Sequence, residues 1–124
     1  MQRKEFIIEL RGIIYLLREH SFLRYVNDHG EYELMQRSAI DGLVLLLYKF
    51  IGVQLPIIYD LIPIDDLKVA SIDTLKRFLK RIKNGYLKLS NKYVVSNKSK
   101  CSAFYQAAKR WELACNKLSR NYSG

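Results

Sequence analysis

From Cys101 to Tyr122, the residues Cys101, Phe104, Ala108, Trp111, Cys115, Leu118 and Tyr122 follow one another in alternating steps of three and four. That stride holds side chains on one side of an α-helix and fits no β-strand, whose faces alternate every second residue. The same stride joins Ile72, Leu75, Leu79 and Ile82, and again Phe6, Leu10, Ile13 and Leu17. A helix with one apolar stripe must bury it against another element, so a chain built of such stripes is constrained to helix-on-helix packing. The expected fold is mostly all-α: a single compact bundle of four to five helices.

The periodicity predicts helices over 4–26, 31–52, 67–84 and 99–122. Gly12 weakens the first, and Asn27-Asp28-His29-Gly30 ends it. The run Leu43 to Leu47 is apolar on every side and predicts a central, well-buried second helix. Residues 53–66 hold both prolines and three acids and read as a connector with one short helical turn. Asp65-Asp66 suits the start of the third helix, where acids favour the positive dipole end. Ser71 is a candidate N-cap for a later start.

Residues 86–95 support two readings. Asn84-Gly85 is a good helix terminator, after which Tyr86-Leu87-Lys88-Leu89 and Tyr93-Val94-Val95 suit a short β-hairpin. Continuation of the third helix through Tyr86 to about Leu89 would instead extend its seam, and this reading is preferred. The stretch from Ser71 to Ile82, followed by Asn84-Gly85-Tyr86-Leu87 and Tyr93-Val94, resembles the recognition helix and wing of winged-helix proteins. The resemblance implies a third helix lying in the DNA major groove. It departs from that family in the interval between Pro63 and Ser71, which is too short for the preceding helix and turn.

A chain of 124 residues fits one domain, and 49% hydrophobic residues supply an ample core. No secretory signal or membrane span is expected. Glu9 and Arg11 interrupt the first apolar run, and Asp41, Lys49, Asp60 and two prolines break the region 39–64. These readings favour a cytoplasmic setting, of a cell or of an infected host. Cys101 and Cys115 stand 14 residues apart on one predicted helix. That is about 21 Å, against the ~7 Å limit for a disulfide, so burial as small apolar groups is expected. Neither a metal site nor a cofactor is expected, because neither CxxC nor a Cys/His cluster is present.

Charge divides the chain. Residues 67–124 carry 14 Lys and Arg against Asp73 and Glu112, a balance of +12, whereas residues 1–66 carry seven bases and ten acids, a balance of −3. The first half reads as an acidic and apolar scaffold, the second as a basic surface. Solvated faces ordinarily mix both signs. Closely spaced cations suit phosphate neutralisation, which releases condensed counterions. The candidate phosphate-gripping residues are Lys76, Arg77, Lys80, Arg81, Lys83, Lys88, Lys92, Lys98, Lys100, Lys109 and Arg110. Tyr86, Tyr93 and Tyr105 lie among them as candidates for stacking on bases.

The segment Arg24-Tyr25-Val26-Asn27-Asp28-His29 resembles the Arg-to-His motif of HEPN-type ribonucleases, which are compact helical bundles. The resemblance implies an Arg24 that stabilises phosphate charge and a His29 that handles protons. The motif departs from that family in lying near the end of the first helix, not in a late one. Read from the residues alone, His29 beside Gly30 is a helix-end residue facing the dipole. No P-loop, GxGxxG, HExxH or GxSxG pattern is present.

The sequence therefore leads to a small, non-catalytic nucleic-acid-binding protein that grips DNA or RNA with a basic helical surface in residues 76–120. The alternative is a protein-interaction module, such as an immunity protein, inhibitor or assembly subunit, meeting an acidic partner or an anionic membrane surface. A ribonuclease using Arg24 and His29 is the third reading. A homodimer through the apolar second helix is compatible with each.

Overall fold

The structure, a computed structural model, describes residues 1–19 and 29–122, with only the backbone of His29. Among these residues there are four α-helices and no strand: α1 (Arg3–Glu19), α2 (His29–Ile51), α3 (Ile72–Lys92) and α4 (Lys98–Tyr122). The expected all-α bundle is the observed one. The helices form two pairs. α1 lies antiparallel to α2, with Phe6 stacked on Phe50 at 4.3 Å between centroids and Ile13 beside Gly42. α3 lies antiparallel to α4 in the more extensive contact, with Ser90 against Cys101 at one end and Lys76 against Cys115 at the other.

The pairs share one core. Phe6, Leu10, Leu43, Leu47, Leu75, Leu79, Ile82 and Leu118 are among its fully buried members. Tyr122 joins the ends, tilted against Phe50 at 5.9 Å with its hydroxyl donating to the Arg3 carbonyl at 3.4 Å. Burial of such aliphatic and aromatic side chains contributes about 1.5–3 kcal/mol each relative to exposure.

The connector between the pairs differs from its expected form in having two 3₁₀ turns, Tyr59–Leu61 and Ile64–Asp66. Asp65 and Asp66 belong to the second turn and not to α3. Asp65 accepts from the Tyr32 hydroxyl at 2.9 Å, and Asp66 pairs with Arg81. α3 starts five residues later than expected, at Ile72, because Ser71 caps it: the Ser71 Oγ accepts from Thr74 N at 3.2 Å.

The β-hairpin at 86–95 does not form. α3 runs through Asn84-Gly85 to Lys92, and a turn leads directly into α4. Tyr86 and Ser90 extend the buried seam of α3 beyond Ile82, so packing against α4 outweighs the local preference of glycine to end a helix. Without a hairpin there is no wing, and the winged-helix resemblance fails at the element that defined it. The all-round apolar run of α2 is also only partly buried. Leu43, Leu46 and Leu47 face the core, while Leu45 and Tyr48 are exposed. Both cysteines are free, Cys115 buried and Cys101 only half-buried. No described helix is long and apolar enough to cross a membrane.

Candidate nucleic-acid interface

Every candidate cation lies on α3, on α4 or at their junction, and none is fully buried. They do not share one face. A helix turns about 100° per residue, so neighbours such as Lys76 and Arg77 diverge. Lys80 and Lys83 line a cleft of about 270 Å³ on the α4 side of α3, together with Trp111, Glu112, Cys115 and Asn116. Lys76 stands one turn before Lys80 on this flank. Across the cleft, Lys109 reaches Glu112 at 3.8 Å and lies over the Tyr105 ring at 5.3 Å.

The opposite flank of α3 carries Arg81, which pairs with Asp66 of the connector. Arg77, Lys88 and Lys92 keep helical register with Arg81 at intervals of four, seven and eleven. Arg110 lies on the far side of α4, where its Nε donates to the Gln54 carbonyl at 3.1 Å. Lys92, Lys98 and Lys100 gather at the α3–α4 turn, with the Lys92 and Lys100 ammonium groups 5.6 and 5.0 Å from the Tyr93 ring centroid.

Few acids oppose these charges. No Asp or Glu occurs from residue 74 to residue 111. Lys76 approaches Asp73 at 4.0 Å, with Asp73 largely exposed. Among the described residues, Arg77, Lys80, Lys83, Lys88 and Lys98 make no ion pair.

The three tyrosines separate. Tyr86 is 1% exposed, and its hydroxyl donates to the Pro56 carbonyl at 3.0 Å, so it cannot stack on a base. Its place on the α3 seam, four residues after Ile82, was the available signal. Tyr93 is half-buried and already stacked on Phe104 at 5.7 Å. Tyr105 is 44% exposed beside Lys109 and keeps a face within reach of solvent. Arg24 and the side chain of His29 lie outside the described residues, and the His29 backbone opens α2.

A second concavity had no counterpart in the sequence reading. An open groove of about 830 Å³ runs between α2 and α4, walled by Val44, Leu45 and Tyr48 on one side and Ala103, Ala107 and Arg110 on the other. Its floor is the extended segment Gln54–Ile57. Leu34, Leu45 and Tyr48 form an exposed stripe on α2, with relative exposures of 67%, 53% and 47%. Spacings of eleven and three between them were the overlooked signal.

No protein-family model, no curated protein and no solved structure matches this chain.

Proposed function

We propose that this chain is a nucleic-acid-binding protein that grips phosphates along the α4-facing flank of α3. The observation that carries the reading is the placement of Lys80 and Lys83 on one cleft, with Lys76 and Lys109 beside them and Glu112 as the acid between. A lysine row whose central members Lys80 and Lys83 make no ion pair among the described residues lowers the free energy of a bound polyanion by releasing its counterions, and the effect weakens with salt. Tyr105 would add a stacking contact at the edge of the row.

Titration of the full chain against duplex DNA, single-stranded DNA and RNA at two salt concentrations tests the reading. Four phosphate contacts correspond to a slope of log affinity on log salt of about −3.6 for duplex DNA. No binding at low salt, or a flat salt response, would refute it.

A protein-interaction module is the second reading, and the groove between α2 and α4 favours it. The occupant would be an apolar segment carrying an acidic group for Arg110, which stands on the groove wall. Purification without nuclease treatment discriminates the two. Retained nucleic acid supports the first, and a protein partner lost on Leu45→Glu supports the second. A concentration-dependent dimer lost with the same substitution would make the partner a second copy.

A further inference from the structure

The turn from α3 into α4 holds two adjacent valines out to solvent: Val95 is 90% exposed and Val94 56%. The turn is well built. Tyr93 N donates to the Ser90 carbonyl at 3.1 Å, and Asn97 N to the Tyr93 carbonyl at 3.0 Å. The Asn97 Oδ1 accepts from Lys100 N at 3.0 Å, capping α4, and the Tyr93 ring rests on Phe104. Lys92, Lys98 and Lys100 flank the valines in sequence, all three exposed, and no acid lies within the neighbouring sequence from 74 to 111. Exposed apolar side chains on a hydrogen-bonded turn that is flanked by lysines have a specific physical complement.

We infer that this turn docks reversibly on an anionic lipid surface. Val94 and Val95 enter the boundary between headgroups and acyl chains, about 5–10 Å deep for interfacial apolar groups. Lys92, Lys98 and Lys100 lay their methylene stems along that boundary and place their ammonium groups at the lipid phosphates and carboxylates. A nucleic acid is the weaker complement at this site. Its backbone offers exposed valines nothing apolar, and the wedges that part base steps are typically larger side chains such as Phe, Leu or Met. Two valines and three lysines make a weak contact and not a permanent anchor. The inference is independent of the nucleic-acid reading, because the cleft residues Lys80 and Lys83 take no part in it.

The test is cosedimentation of the full chain with phosphatidylcholine vesicles, with and without phosphatidylserine, alongside a duplex-DNA titration. Binding is expected only with phosphatidylserine and should weaken as salt is added. Val94→Ser/Val95→Ser should lower vesicle partitioning about tenfold while leaving DNA affinity unchanged. Each of Lys98→Gln and Lys100→Gln should lower it about fivefold. In Val95→Trp the added indole should shift its emission to the blue on anionic vesicles only. Absence of cosedimentation at low salt, or a double-serine variant that binds vesicles like the parent, would overturn the inference. So would loss of DNA affinity in that variant with vesicle binding intact, which would assign the turn to nucleic acid.

Discussion

Tyr86 and Trp111 donate to the same acceptor. The Tyr86 hydroxyl and the Trp111 Nε1 each lie 3.0 Å from the carbonyl oxygen of Pro56, and both side chains are 1% exposed. One comes from α3 and one from α4, with ring centroids 6.5 Å apart, so the connector is fastened to both helices of the basic pair through a single peptide group. A carbonyl has two lone pairs and can take both donors. Tyr86→Phe should cost about 0.5–1.5 kcal/mol, and Trp111→Ala about 3–5 kcal/mol through the lost ring. The variant Tyr86→Phe/Trp111→Phe should cost more than its two single changes added, because only then does the carbonyl lose both donors. Urea denaturation of the four proteins measures the coupling.

Burial also pushes the Tyr86 phenol above its ordinary value of 10.0, partly offset by hydrogen bonding from the Ile58 backbone and Trp111. Tyr59 is raised by its hydrogen bond to Asp41, with Arg37 opposing, and Tyr122 is raised by burial, with Arg3 opposing. In each case the fold favours the protonated phenol. The associated stability is complete below the unfolded value near pH 10 and is lost as pH rises through the folded value. Stability measured across that window should fall, and Tyr86→Phe should flatten the decline while starting from a lower plateau. A variant with the parent's pH slope would remove Tyr86 as the cause.

Two glycines make opposite predictions. Gly52 ends α2 with φ +73°, and its N–H donates to the Tyr48 carbonyl at 2.9 Å. A side chain is strained there, so Gly52→Ala should cost about 1 kcal/mol and Gly52→Asn less. Gly85 lies inside α3, where an added Cβ would meet the Leu61 Cδ2 at 3.7 Å, an ordinary contact. Gly85→Ala should therefore stabilise by up to about 1 kcal/mol, as it does in a helix interior. If both substitutions destabilise equally, α3 does not run through residue 85. Thermal melts of the two variants decide it.

Gly85 also marks where the sequence was hard to read. The seams of α1, α3 and α4 were visible because each helix buries one stripe, and a stripe has a period. The end of α3 was not, because Asn84-Gly85 is a local stop signal, while the packing of Tyr86 and Ser90 on α4 is tertiary. α2 misled for a related reason: a run of aliphatics shows no face, so the exposure of Leu45 next to the burial of Leu46 depends on what packs there. The basic half was legible as composition. Its division into an α4-facing flank, a connector-facing flank and a turn follows from how α3 and α4 rotate against each other, and no charge count contains that rotation.

That division can be tested directly. Lys80 and Lys83 line the cleft with Glu112, whereas Arg77 and Lys88 lie on the other flank of the same helix. Lys80→Glu/Lys83→Glu and Arg77→Glu/Lys88→Glu change net charge equally and alter no buried residue. If affinity reflected net charge alone, the two variants would lose it equally. If phosphates sit along the cleft, the Lys80/Lys83 variant should lose affinity by an order of magnitude more and reduce the salt slope by about 1.8, two contacts at 0.9 each. The Arg77/Lys88 variant should keep the parent slope. Glu112→Gln removes the one acid of the cleft and should strengthen binding by a few-fold at the parent's slope, because Lys109 is already one of the four phosphate contacts. Fluorescence anisotropy with a labelled duplex across a salt series reads all three, and equal slopes for the first two variants would remove the cleft as the binding face.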